Sequence, residues 1–457
     1  MAALNELKAL RDYYNTGSIK EYDFRIKQLK KLKAAIENSE EELYAALYKD
    51  LKKSKEECWI TENGFVISEL NNTIKKLSGW MKRKTVGTNL LNMPAKSFII
   101  PEPLGVVLII SPWNYPLNLL FTPLIGAMAA GNCVVLKSSE FAAATSAAMK
   151  KIIEETFEPG YILFVEGDGA KVVPDMMDNF SFDHIFYTGS TNVGKIIYES
   201  AAKRLVPVTL ELGGKSPCIV ESDADIKVAA RRIMMTKFSN AGQMCVAPDY
   251  VLVHASKKEM LVDEMKKTLS SFFGADAKQS NDFGKIINEK QFDRLLGYLK
   301  DGKIIQGGNN DKNALYIEPT LMDEIKMDAP IMSEEIFGPI LPIISFSKEE
   351  EAIAIIEKNK NPLAFYVFTG SSAKEDYWLN RVAFGGGCVN NASVHLTNHR
   401  LPFGGRGFSG TGQYHGKFSF ATFSHYKAIL KSPTWLDPSV KYPPYGGRLN
   451  LLKWIIK

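Results

Sequence analysis

Cys245 lies in the run FSNAGQMCVAPDY and Glu211 lies upstream in VTLELGGKSP, so one chain offers a sulfur nucleophile and a carboxylate base. A thiol is only a few per cent ionised at neutral pH, and a cysteine that attacks a carbonyl needs help from a base, a dipole or a cation. The Gly-Gln-Met-Cys turn bends the backbone tightly and leaves amide N–H groups free near the sulfur. Most free cysteines are small buried hydrophobes, so the surroundings of Cys245 must decide. Glu211 ends an apolar strand just before Gly213 and Gly214, a position that opens onto the ligand crevice in α/β sheets. The plainer reading is a strand-end carboxylate in water or paired with Lys215. A third part is SPWNYP (111–116), where Pro112 and Pro116 stiffen a turn and Asn114 offers a side-chain N–H. Such a donor to a developing oxyanion contributes about 3 kcal/mol in the transition state, whereas a plain turn Asn satisfies its own backbone.

The elements that must position these groups are legible in outline. At 457 residues, 45% hydrophobic and 23% charged, the chain can bury a large core over two or three domains, and disorder is excluded. Lys plus Arg number 56 against 51 Asp plus Glu, a slight excess spread along the chain without the basic stripe of a nucleic-acid binder. Five cysteines (Cys58, Cys133, Cys218, Cys245, Cys388), odd in number and without a Cys-x-x-Cys pair, argue against a disulfide framework and a thiolate metal site. No metal is expected, and a reducing, cytoplasmic setting is. The first residues, MAALNELKALRDYYNTG, are amphipathic and do not read as a signal peptide. The apolar stretch Leu117 to Leu136 is broken by Asn118, Pro123, Gly126, Gly131 and Asn132, so it reads as a buried helix and a strand, and no spanning segment is expected. The final NLLKWIIK could touch a membrane surface, a partner subunit or the parent fold, and is too short to span.

Residues 1–82 show helical spacing of apolar positions. VVLII (106–110), a helix near 118–130, VVLK (134–137), a helix near 141–156 and YILFV (161–165) then make consecutive β-α-β units, extended by HIFYT (184–188) and VTLEL (208–212). SPCIV (216–220) opens a second series with YVLVH (250–254), the connector DGKIIQGGNN and ILPIISF (340–346), ending in a glycine-rich stretch from Gly385 to Gly412. The fold class is therefore α/β, with two Rossmann-like doubly wound domains. A strand-like insert at 82–103 breaks the rhythm and reads as an arm that pairs with something distant.

Two motif matches point elsewhere. GSTNVGKI (189–196) fits the phosphate-loop pattern up to Ile196, where a Ser or Thr should hold magnesium, which makes a nucleotide triphosphatase the alternative of a different class. The same glycine turn before a helix also suits a dinucleotide pyrophosphate, held by helix N-terminal amides. GRGFSG (405–410) follows no apolar strand and reads as a loop or close-packed turn. His395, His399 and Asn391 downstream of Cys245 leave a cysteine hydrolase formally open, although that reading accounts for neither the βαβ series nor Glu211.

FSNAGQMCVAPDY, LELGGKSP, PWNYP, YTGSTNVGK and EEIFGP, together and nearly chain-wide, resemble the NAD(P)-dependent aldehyde dehydrogenase superfamily, and within it the class 3 or fatty aldehyde dehydrogenase group. The resemblance implies that Cys245 is the nucleophile, Glu211 the general base and Asn114 the oxyanion donor. It implies that Lys137 and Glu140 meet the adenosine ribose, that Gly189, Ser190 and Gly194 shape the pyrophosphate turn, and that Trp113, Glu335 and Phe337 lie on the nicotinamide side. A carboxylate at Glu140 favours free ribose hydroxyls, so NAD is the expected cofactor, with NADP admitted. The implied reaction oxidises medium- or long-chain aliphatic or aromatic aldehydes to acids through a thiohemiacetal and a thioester. A coenzyme A dependent acylating relative is the alternative within the superfamily, and Glu211 argues against it. The resemblance further implies an NAD(P)-binding domain (1–82 and 104–208), a catalytic domain (209–400), and a bridging arm with the C-terminal segment (83–103 and 401–457) that makes a homodimer.

Overall fold

The alternating apolar runs and short glycine or proline breaks form two largely parallel sheets in a computed structural model that describes residues 2–158 and 160–455. The first has six strands in the spatial order Gly410–Thr411, Val208–Glu211, His184–Thr188, Val106–Ile110, Cys133–Lys137 and Ile162–Val165. All pair in parallel except Gly410–Thr411. Val106–Ile110, Cys133–Lys137 and His184–Thr188 are buried along their whole length, as strands covered by helices on both faces must be. The chain leaves Val106–Ile110 first to one side and later to the other, so the strand order reverses between Val106–Ile110 and His184–Thr188. Ligands of doubly wound sheets bind beyond the carboxyl ends at such a reversal.

The second sheet runs Lys303–Gln306, Thr320–Asp323, Ile340–Phe346, Tyr250–His254, Pro217–Val220, Ala364–Phe368 and Gly386–Val389, with only its first pair antiparallel. The α/β class with two Rossmann-like sheets is as expected. Within the expected glycine-rich connector, Lys303–Gln306 is a short, half-exposed strand whose weak apolar content hides it in the sequence. Ala364–Phe368 is fully buried, yet its five residues give no alternation by which to recognise it.

The N-terminal region is helical, and its helices Tyr22–Asn38 and Gly64–Trp80 pack on Pro116–Ala130 while Glu40–Leu51 packs on Ala143–Thr156. Pro116–Ala130 and Cys133–Lys137 are the buried helix and strand anticipated for the long apolar stretch. Two expected boundaries need correction. A division at 208/209 would cut Val208–Glu211, which pairs whole with His184–Thr188, so Glu211 belongs to the first sheet. Nor does the arm begin at 401: Gly410–Thr411 joins the first sheet, and helix Lys417–Thr422 lies so close on Pro116–Ala130 that a side chain at Gly126 would collide with Ser419. The arm proper is a three-stranded antiparallel sheet of Lys84–Val86, Lys96–Pro103 and Ser424–Lys431. The distant partner of the insert is thus a C-terminal strand of the same chain.

Candidate active site

Neighbouring strands of the first sheet end side by side and carry most of the expected residues on one rim. Trp113 and Asn114 follow Ile110, Lys137 closes its strand, Gly189 and Ser190 follow Thr188, and Glu211 closes Val208–Glu211. Backbone bonds continue across the rim: Ser111 N–H donates to the Lys137 carbonyl and Gly189 N–H to that of Glu211, each at 3.0 Å.

Cys245 reaches this rim from the second sheet. After helix Ile226–Phe238 the chain turns through Asn240, Ala241 and Gly242, all with left-handed φ (50°, 50° and 75°). Gly242 is needed there because a Cβ would collide with the Gly338 carbonyl. Gln243 staples the turn: its Nε2 donates to the carbonyls of Asn240 (3.0 Å) and Lys285 (2.9 Å), and its Oε1 accepts from Ile287 N–H (3.0 Å). Asn114 Nδ2 donates to the Gln243 carbonyl at 3.0 Å, and Asn240 Nδ2 to the Asn114 carbonyl at 2.7 Å. The oxyanion candidate and the cysteine loop are therefore tied to each other. Cys245, half-buried, opens with Met244 into a cavity of about 430 Å³ walled by side chains that include Tyr115, Leu119, Phe403 and Tyr414.

Burial dominates the electrostatics. The Cys245 thiol is pushed up to about 12 by burial and then by the negative charges of Glu335 and Glu211, while the amides of Cys245 and Val246 pull the other way. Glu211 is buried, neither of its carboxyl oxygens has a hydrogen-bond partner, and burial raises its pKa well above the ordinary value. Glu335 is pushed up to about 8 by burial, with Asp249 adding to it. Lys215 does not pair with Glu211. It pairs with Asp249 and donates to the carbonyls of Ile331 (2.8 Å) and Glu334 (2.9 Å), and Asp249 accepts from Ile336 N–H at 2.9 Å. Arg294 donates to the carbonyls of Glu335 (3.2 Å) and Ile336 (2.8 Å). EEIFGP is thus held by buried charges, which fixes Phe337 with a φ of 51° and its ring edge-on to Trp113, centroids 5.4 Å apart.

The residues expected to meet a dinucleotide fall into two groups along the rim. Lys137 Nζ lies 3.3 Å from Glu140 Oε2, and Gly169 N–H donates to Glu140 Oε1 at 3.4 Å. Further along, Ser190 caps helix Thr191–Ala202 by accepting from Val193 N–H at 3.5 Å. Side chains at Gly189 and Gly194 would strike Tyr187 and Leu212, and one at Gly213 would strike the Glu335 carboxylate. A second cavity of about 520 Å³ lies between Thr191, Gly213, Gly214, Lys215, Glu335 and Phe408. A helix N-terminus, a close glycine backbone and the half-buried Glu335 carboxyl facing this space fit a pyrophosphate and ribose.

The phosphate-loop reading fails on geometry. The helix already begins at Thr191, so Gly194 and Lys195 lie inside it and no loop is left to wrap a triphosphate; Lys195 instead sits over the Phe408 ring. The hydrolase reading fails as well: His395 Nδ1 is 3.5 Å from Cys388 Sγ, and His399 is taken up by Glu69 (2.6 Å) and Ser68 (3.0 Å). GRGFSG is the close-packed turn expected, since a side chain at Gly405 would collide with the Ser409 backbone. Among the described residues no three His, Cys, Asp or Glu side chains cluster as metal ligands would.

One supporting pair escaped the sequence reading. Lys53 and Glu62 are completely buried at 2.8 Å from each other, and Lys53 also donates to the Asn114 carbonyl at 3.0 Å. Lys53 sits in LKKSKEEC, where nothing in the sequence distinguishes it from the other lysines of the run.

Comparison with known proteins agrees with this geometry. The aldehyde dehydrogenase family model matches residues 15–429. The chain is 46% identical to the 4,4'-diaponeurosporen-aldehyde dehydrogenase of Staphylococcus aureus, over 97% of both chains. It is 42% identical to the dimeric NADP-preferring aldehyde dehydrogenase of Rattus norvegicus, over 97% of this chain and 98% of that one. Among solved structures it matches a substrate-bound Staphylococcus aureus AldH with a TM-score of 0.97 at 45% identity, over 99% of both chains.

Proposed function

The chain belongs to the aldehyde dehydrogenase family and oxidises aldehydes with NAD or NADP, and on that premise we propose that Cys245 is its nucleophile, Asn114 its oxyanion donor and Glu211 its general base. Cys245, as the thiolate, attacks the aldehyde carbon from the wall of the cavity it shares with Met244, and the oxygen that becomes negative is held by Asn114 Nδ2–H and the Cys245 backbone N–H. Bound NAD(P)+ supplies the hydride acceptor. Cys245 is left as a thioester. Glu211 takes a proton from the water that cleaves it, releasing the carboxylic acid and restoring the thiol. The observation that carries this reading is the buried Glu211 carboxyl, unpartnered and close enough to Cys245 for its charge to raise the thiol pKa. Such a carboxyl is poised to take up a proton, and a structural one would have been given partners. A base directed at water favours hydrolysis over acyl transfer to coenzyme A.

The finer features follow from the same site. Lys137 and Glu140 would hold the adenosine ribose; Gly189, Ser190 and Gly194 the pyrophosphate; Glu335, Phe337 and Trp113 the nicotinamide side. Glu140 favours NAD, and Lys137 beside it at 3.3 Å lets NADP be tolerated. The apolar cavity suits medium- or long-chain aliphatic and aromatic aldehydes. The three-stranded arm serves a homodimer, a reading supported by the word "dimeric" in the name of the Rattus norvegicus relative. Five free thiols suit the cytoplasm.

Single-turnover kinetics of Glu211→Gln test the assignment. The variant should give one burst of reduced nicotinamide per active site and then stop, because the thioester forms and is not cleaved. Loss of the burst as well would place Glu211 before hydride transfer and overturn its role as the hydrolytic base.

A further inference from the structure

The cavity in front of Cys245 is charged at one place only. Among the described residues its wall contains no Asp or Glu, and burial holds His415 neutral, with its pKa lowered to about 4. The two remaining charges are Arg231 and Arg232, both exposed, on helix Ile226–Phe238. That helix is laid along the wall. Arg231 and Arg232, then Met235 and Thr236, then Ser239 follow at three- to four-residue intervals and all line the cavity, so they form one stripe running from the mouth toward the cysteine loop. From Arg232 to Ser239 the helical rise is roughly 10 Å. Arg232 donates to the Asn390 carbonyl, which steadies its guanidinium, and neither arginine has an acidic partner among the described residues.

Two cations at the mouth of an apolar cavity do nothing for a neutral aldehyde. They attract an anion, and a guanidinium fork matches a carboxylate bidentately. Resting on the assignment of Cys245 as nucleophile of this cavity, we propose that the preferred substrates are long apolar aldehydes that end in a carboxylate, ω-oxo fatty acids, with Arg231 and Arg232 as the residues that select them. The apolar chain lies along Met235, Leu119 and Phe403, the aldehyde reaches Cys245, and the far carboxylate stays at the arginines. The product is a dicarboxylic acid.

The test compares kcat/KM, from reduced-nicotinamide absorbance, for an ω-oxo fatty acid, its methyl ester and the alkanal of the same chain length. The wild type should prefer the free acid over the ester by about tenfold, the size of one partly solvated charge-assisted hydrogen bond, and salt should weaken that preference. In Arg231→Gln/Arg232→Gln the acid-to-ester ratio should fall to near one, whereas Arg231→Lys/Arg232→Lys, which keeps both charges, should retain most of it. A wild type indifferent to the terminal charge, or a Gln double variant that keeps the ratio, overturns the proposal while leaving aldehyde oxidation intact. No reduced nicotinamide with any of the three aldehydes, or full activity in Cys245→Ala, would instead overturn the reading on which it rests.

Discussion

Asn114, the proposed oxyanion donor, shows how much positioning a single side chain can receive. Its Nδ2 already gives one hydrogen to the Gln243 carbonyl, its own carbonyl receives both Lys53 and Asn240, and its Oδ1 is buried without a partner. One Nδ2 hydrogen is left to meet an oxyanion, and the rest of the residue is held still. Asn114→Ala should therefore lower kcat about 100-fold with a much smaller change in KM, since the donor acts on charge that develops only in the transition state. Equal losses in binding of aldehyde and in kcat would indicate a residue that merely shapes the cavity. Cys245, Glu211 and Asn114 stand out as candidates in the sequence because each is a reactive or polar group placed where a core would not choose it. The partner of Lys215 does not. Adjacency in sequence suggested Glu211, whereas the fold brings Asp249 and the carbonyls of Ile331 and Glu334 to the ammonium and leaves Glu211 unpaired.

At the scale of elements, the site depends on a junction between helices. The π-helical turn Trp59–Asn63 directs Glu62 inward, where Oε1 accepts from Lys53 and Oε2 accepts from Asn118 N–H at 2.9 Å, in the first turn of Pro116–Ala130. Lys53 also lies 3.9 Å above the Tyr115 ring. Lys53→Met should cost about 3–5 kcal/mol, because Glu62 then stays buried without its counter-charge. Urea unfolding should show most of that stability restored in Lys53→Met/Glu62→Leu, while kcat stays low, since the Asn114 carbonyl has still lost its ammonium donor. Recovery of both would mean that the pair serves the fold alone. Periodicity reveals long elements and misses this kind of junction: Lys52, one residue earlier, is half-buried and bonds the carbonyls of Lys278 and Ser280, and no pattern in LKKSKEEC separates the two lysines. The βαβ series was legible for the opposite reason, since its buried strands carry almost nothing but β-branched and apolar residues.

For the whole molecule, buried titratable groups set the pH range of stability, and exposed strand edges determine what assembles. His184, His395 and His415 are each lowered from 6.5 to about 4 by burial, so the folded chain keeps them neutral where the unfolded chain protonates them. Between about pH 6.5 and 4 the unfolded state binds more protons, and stability present above that window is lost as pH falls through it. His184→Gln, which can keep the bond to Thr209, should flatten this acid limb in denaturant titrations; an unchanged slope would remove His184 from the account. The arm carries the second consequence. Ser424–Lys431 pairs with Lys96–Pro103 on one side and is the edge of its sheet on the other, with every residue after Ser424 exposed, among them Tyr426, Ile429 and Leu430. A long edge with exposed apolar side chains is a pairing surface that monomeric proteins blunt with charge or proline, and only lysines at its positions 427 and 431 do so here. On the proposal that the homodimer pairs along this edge, Ile429→Lys/Leu430→Lys should shift the chain from dimer to monomer in light scattering at micromolar concentration. Neighbouring like charges would then have to meet across the interface. A double variant that remains dimeric would show that the copies meet through another surface and that this strand is covered by something else.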